Sequence, residues 1–287
     1  RILRIFPALI IVVIASMVLL GPALTILTPA SYVSDPNLYR YAKNILTLTF
    51  DYLPGVINSE GNPILINGAL WTLHFEVLSY AMLALASMLG LLYRRSLFLM
   101  LFLASYGIHL AISFDPTLVA ALPQRFLTFI SLFVYFGAGA ALFIFADRIP
   151  FSIAFAIAAL ALVMVALPFG LGAVVMPLCL PYIVIVCGLS ALPGQSLLKH
   201  DLSYGVYLIH APILTAFSLL FPALRIWWFA AAIVIFITVI LSYLSWRFVE
   251  SPALRQKKCL SNWLNDRFDT CCPFWRKRKH ALVAKNE

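Results

Sequence analysis

Apolar residues in this chain come in blocks rather than in alternation. Eight stretches hold little else: residues 5–24, 69–92, 96–113, 125–146, 150–168, 172–190, 203–221 and 226–246. A helix rises about 1.5 Å per residue, so about 20 apolar residues cross the hydrocarbon core of a bilayer. A membrane β-barrel would show alternating segments of about ten residues instead. The pattern therefore predicts an all-α, polytopic transmembrane helix bundle of about 8 spans. The first block is longer than the apolar core of a signal peptide, about 7–15 residues. Phe169-Gly170-Leu171-Gly172 alone separates the fifth and sixth spans, and Pro177 and Pro181 are expected to kink the sixth. Residues 25–68 form the one long connection. Asp35-Pro36-Asn37, Pro54-Gly55 and Gly61-Asn62-Pro63 are turn formers within it, and it is long enough to fold over a site on its face of the membrane. The bundle is expected over residues 1–254, followed by a basic tail over 255–287. No internal repeat is visible, so the inverted repeats common among transporters are not in evidence.

Composition agrees: 63% of residues are hydrophobic and 11% charged, against about 25% charged in soluble domains. A net charge of +9 would suggest nucleic acid in a soluble protein. Here the positive residues follow topology, and no nucleic-acid partner is expected. With Arg1 and Arg4 in the cytoplasm, alternate crossings bring Arg94, Arg95, Arg148, Lys199, Arg247 and the tail to the same side. The opposite side receives residues 25–68, 114–124 and 222–225, where Arg40 and Lys43 are the main cations and Arg125 and Arg225 lie near helix ends. The C-terminus is thus expected in the cytoplasm, with the run Arg276–Lys279 solvated or against anionic membrane lipid. The chain opens on Arg1 and not on Met, so further sequence upstream is expected. Cys179 and Cys187 read as apolar fillers. With Cys259, Cys271 and Cys272 in the tail, no spacing suggests a metal site or a disulfide framework.

Charges within a span are costly and mark function by default. Glu76 stands out. Its helix enters near Asn67, so Glu76 lies roughly 10 Å deep and needs a hydrogen-bonding or cationic partner. Thr72, Ser79 and Tyr80 share its face. His74 is about 200° around the helix from Glu76, nearer the interface, and reads as a bystander. His210 lies roughly 10 Å into its span, with Tyr207 on the same face. It is either a proton handler or a core histidine holding helices together. Arg1 and Arg4, three residues apart, could clamp a phosphorylated ligand or simply anchor the chain at the cytoplasmic boundary. The run Gly137-Ala138-Gly139-Ala140-Ala141 reads as close helix packing.

Four segments, taken together and in order, resemble the acyltransferase-3 family of integral membrane acyltransferases. Arg1-Ile2-Leu3-Arg4-Ile5-Phe6-Pro7 resembles its R-x-x-R-I-x-P. Asn67 to Glu76 resembles N-x-x-L-W-[ST]-L-x-x-E. Ser203 to Pro212 resembles S-Y-G-x-Y-L-x-H-x-P, and Arg247 to Pro252 resembles R-x-x-E-x-P. His74 falls at a variable position of that pattern. The resemblance implies two helices upstream of Arg1, the first carrying an Arg and a catalytic His, on which the activity of this chain would depend. It also implies transfer of an acyl group, commonly acetyl, from cytoplasmic acyl-CoA (acetyl-CoA) to a hydroxyl of a carbohydrate or lipid-linked glycan of the cell envelope, at a bacterial inner membrane. No metal is required. Glu76 and His210 would then be catalytic, Arg1 and Arg4 would meet the CoA phosphates, and Trp71 and Tyr207 would contact substrate. Two other readings fit the residues: a proton-coupled transporter or flippase using Glu76 and His210, and a non-catalytic membrane component of envelope assembly.

Overall fold

The computed structural model describes residues 2–190, 201–222 and 227–257. The elements along the chain are almost all helical. Helix α1 (Ile2–Ala15) widens into a π turn over Ser16–Leu20 and ends as α2 (Gly21–Leu24). The connection that follows holds α3 (Pro29–Ser34), α4 (Pro36–Ala42), and a hairpin of β1 (Tyr52–Ile57) and β2 (Pro63–Leu65). A 3₁₀ turn over Gly68–Thr72 leads into α5 (Leu73–Met88). Then come α6 (Arg95–Phe114), α7 (Pro116–Ala121), α8 (Gln124–Ile144), α9 (Ile153–Ala166) and α10 (Gly172–Leu189). The chain closes with α11 (Ser203–Leu220), α12 (Trp227–Ser245), a second π turn over Trp246–Glu250, and α13 (Ser251–Arg255).

Among the described residues, seven helical segments are long and apolar enough to cross a membrane, and the all-α polytopic class holds. Each falls on one of the predicted blocks. The remaining block, the fifth, forms a shorter apolar helix, Ile153–Phe169. It stops where Gly170 takes φ +72°, a left-handed conformation that glycine adopts without strain. Gly170 and Leu171 then donate their N–H groups back to the Leu167 and Ala166 carbonyls. The last span is longer than its block, Trp227–Arg255, because the helix continues through the π turn. Pro177 and Pro181 both sit inside α10, which continues through them.

The two π turns have a common local cause. Each runs up to a proline, Pro22 in one case and Pro252 in the other. Proline has no N–H to donate, so carbonyls one turn back lose their helical partner. Met17 is such a residue, and its carbonyl accepts instead from the Tyr32 hydroxyl at 2.8 Å.

The described residues form two compact units. One lies within 1–71 and 200–287, the other within 72–199. In the first, α1 packs on α4, α11, α13 and the second π turn, and α11 packs on α12. The long connection is folded in its own right: Tyr32, Leu38, Tyr41, Leu53, Val56 and Ile66 are buried. Asp35-Pro36-Asn37, expected as a turn, is a helix start. The Asp35 carboxylate caps α4 by accepting from the Asn37 N–H at 2.7 Å, with Pro36 in the first turn. Gly61 does turn the hairpin, at φ +82°. In the second unit α6, α8 and α10 pack against one another, and α5 lies against α8. Of the small-residue run, Gly137 and Ala138 are buried. A Cβ on Gly137 would come within 3.1 Å of the Phe102 ring, whereas Gly139 faces open space.

Candidate functional site

The first unit brings residues of all four sequence segments together. Arg4, one turn into α1, donates from Nη2 to Asp201 Oδ2 at 2.6 Å and to Ser203 Oγ at 3.3 Å. Asp201 is in turn held by Ser203, whose hydroxyl and N–H reach Oδ1 at 2.6 and 3.3 Å. The Ser203 hydroxyl, with the Arg4 guanidinium, holds the Asp201 carboxyl below the usual carboxylate range. The pair is solvated, the two side chains being 32% and 58% exposed. At the next residue of α11, the Tyr204 hydroxyl donates to the Ile5 carbonyl at 2.9 Å.

Glu250, from the closing segment, is 2% exposed. Its Oε1 accepts from the Ser245 hydroxyl at 3.1 Å, and both Arg4 and Asp201 lie within electrostatic reach. Arg4 thus pairs directly with one solvated carboxylate, Asp201, and acts at longer range on a buried one, Glu250. Gly205 lets α11 approach α12 closely: a Cβ there would stand 3.0 Å from Ser242 Cβ and 3.1 Å from its Cα.

Asn67 ties the end of the long connection to α11. Its Nδ2 donates to the Leu208 carbonyl at 2.9 Å, and its Oδ1 accepts from the Ala69 N–H at 3.2 Å. The reason lies four residues along: Pro212 cannot supply the helical N–H that Leu208 would otherwise receive. The Asn of one segment therefore satisfies the carbonyl orphaned by the Pro of another. Two more bonds run beside it, from the Tyr207 hydroxyl to the Ala69 carbonyl and from Thr215 Oγ1 to the Leu65 carbonyl at 3.2 Å.

His210 is exposed, and its Nδ1 lies 3.0 Å from the Val206 carbonyl. A carbonyl only accepts, so in the neutral ring the proton sits on Nδ1. Nε2 then carries the lone pair. That arrangement suits a proton acceptor, and it is not the buried packing of a core histidine. Trp71 is 46% exposed, as an interfacial aromatic would be. Arg1 lies outside the described residues, as do Lys199, Arg225 and the cysteines and basic run of the tail.

Glu76 belongs to the second unit. It is half-buried in the first turn of α5, and Oε1 accepts from the Tyr80 hydroxyl at 3.0 Å, one turn on. Tyr80 packs edge-on against Phe136 of α8. Of the face expected around Glu76, Tyr80 does pair with it. Ser79 instead donates to the Phe75 carbonyl at 2.8 Å. His74 makes an edge contact with Phe75. His109 of α6 is buried, with Nε2 3.2 Å from the Ala173 carbonyl.

Asp201 and Ser245 were not singled out from the sequence, and Ser203 and Glu250 entered only as positions of the family pattern, with no role given to them. Glu250 carried a signal, an acidic residue at the end of an apolar block. Asp201 carried none, because it lies between blocks, where charge is ordinary.

The helices and these polar junctions define a polytopic integral membrane protein whose buried hydrogen bonds join segments nearly 200 residues apart. The family model described as an acyltransferase domain, acyltransferase-3, matches residues 1–247, and the chain belongs to that family. No curated protein and no solved structure matches it.

Proposed function

We propose that this protein is a membrane O-acyltransferase that moves an acyl group, most simply acetyl, from cytoplasmic acyl-CoA to a hydroxyl of a cell-envelope carbohydrate. The observation that carries the reading is family membership over residues 1–247. The meeting of Arg4, Asn67, Tyr204 and Glu250 in one unit supports it, since each belongs to a segment of the family pattern.

In this reading the acceptor hydroxyl attacks the thioester carbonyl. The C–O bond forms, the C–S bond breaks, and CoA leaves as a thiolate that takes up a proton. A base must accept the hydroxyl proton; the family resemblance gives that role to the histidine of the upstream helices, and His210, with its lone pair on Nε2, is a further proton handler. Glu76 orients the hydroxyl or stabilises the charge that develops on an imidazole base. Arg4, together with Arg1, meets the CoA phosphates, for which a guanidinium is well shaped. Trp71 stacks on the sugar and Tyr207 helps to position it. No metal enters the scheme.

The test uses the native gene product in membranes, radiolabelled acetyl-CoA, and isolation of envelope glycan. Label is expected on the glycan and is lost in Glu76→Gln at unchanged membrane abundance. Persistence of label in that variant removes Glu76 from the mechanism. Proton-driven solute uptake without label transfer replaces the acyltransferase reading with a transporter.

A further inference from the structure

A groove of about 560 Å³ runs between α1 with its π turn, α11 and the end of α12. That is the size range of sites for small organic molecules. Ile11, Leu19, Ile213, Leu244 and Phe248 line it. Leu19 and Phe248 are 69% and 72% exposed, so the groove opens sideways along spanning helices. Its two hydroxyl-bearing walls are already committed: Ser16 donates to the Val12 carbonyl at 2.8 Å and Ser245 donates to Glu250. An occupant meets apolar surface and no free donor. Water is a poor filling, since an ordered water needs two to four polar partners. Both π turns border the groove, and such turns recur at functional sites in helices.

The chain that leaves the groove is basic. Phe248 and Val249 line it. Arg247, Arg255 and Lys257 lie just beside and beyond them, all exposed and without an ion pair among the described residues. The acidic groups of that end are already engaged, Asp201 with Arg4 and Glu250 with Ser245. Tyr243 and Trp246 stack at the same level, as aromatics do at a membrane interface. The charge complement of this end is therefore an anion attached to a hydrocarbon chain.

We propose that the groove is a binding site for an anionic membrane phospholipid. One acyl chain lies between α1, α11 and α12, and the headgroup phosphate is met by Arg247, Arg255 and Lys257. Basic clusters beside spanning helices attract anionic lipid, each cation adding to the attraction. The site is independent of the acyl-transfer reading, and its test does not use activity.

The experiment is native mass spectrometry of the purified full protein, released from micelles that contain dioleoyl phosphatidylglycerol or dioleoyl phosphatidylcholine. Retained phosphatidylglycerol adducts are expected, in clear preference to phosphatidylcholine. Replacing Arg247, Arg255 and Lys257 together by Gln should reduce that preference roughly 10- to 100-fold. Ala15→Trp, which fills the groove, should lower retention of phosphatidylglycerol. Equal retention of the two lipids, or an unchanged preference in the triple Gln variant, overturns the proposal. Should Ala15→Trp not fold, Leu244→Phe takes its place. Undiminished adducts in a folded filling variant also overturn it.

Discussion

Asn67→Ala tests the pairing of two distant segments. The substitution removes the donor to the Leu208 carbonyl and the acceptor for the Ala69 N–H. Asn67 is 1% exposed and Leu208 fully buried, so water cannot replace the lost donor. An orphaned buried carbonyl costs about 1–3 kcal/mol, although hydrogen bonds between membrane helices average nearer 0.6 kcal/mol. Losing the acceptor at the start of the 3₁₀ turn adds about 0.5–2 kcal/mol by analogy with helix caps. A total of about 1–5 kcal/mol is expected for Asn67→Ala. Pro212→Ala supplies the missing N–H. In that background the Leu208 carbonyl keeps a partner, and only the cap loss remains. The cycle Asn67→Ala, Pro212→Ala and the double variant should show a coupling of about 0.6–2 kcal/mol. The assay is detergent or thermal unfolding of the purified protein, followed by the fraction remaining monodisperse. Strict additivity would refute the claim that Asn67 is there to satisfy the carbonyl that Pro212 leaves open.

Other outcomes follow from the same geometry. Asp201→Asn removes a solvated ion pair, so stability should fall by no more than about 1 kcal/mol. Arg4 is then released for phosphate, and the KM for acyl-CoA should fall up to about fivefold; a higher KM would refute the role given to Arg4. Because the folded Asp201 carboxyl is held below its ordinary value of 3.8, its contribution is complete above that pH and is lost only as the pH falls below it. Denaturation midpoints of wild type and Asp201→Asn should therefore keep a constant separation from pH 5 to 8. Asp51 is the opposite case, since burial raises its carboxyl above 3.8 and ionisation disfavours the folded state as pH rises. Asp51→Asn should raise the melting temperature at pH 7, with the gain shrinking as the pH falls through the raised carboxyl value towards 3.8 and absent below it. Gly205→Ala should push α11 off α12 at Ser242 and cost about 1–3 kcal/mol, measured as a lower melting temperature. Ser242→Ala, which removes a buried hydroxyl with no partner among the described residues, should be neutral or stabilising.

Which segments are spanning helices was written in the sequence. A block of about 20 apolar residues needs internal hydrogen bonds once in lipid, and a helix supplies them within the block. Family membership was legible too, because it rests on residue types in order along the chain. So was the Phe169-Gly170-Leu171-Gly172 turn between two spans, whereas the π turns ahead of Pro22 and Pro252 were not read from the sequence. Who meets whom was decided by tertiary structure. Arg4 finds Asp201 across 197 positions, and Asn67 finds Leu208 across 141. In a soluble protein an apolar stripe would have marked the facing side of each helix. Spanning helices are apolar all round, since lipid and protein neighbours look alike to them, so the sequence carried no such stripe. Only the packing of α1, α11 and α12 revealed that Glu250 is buried within electrostatic reach of Arg4, and only the side-chain geometry along α5 that Tyr80 serves Glu76 while Ser79 does not.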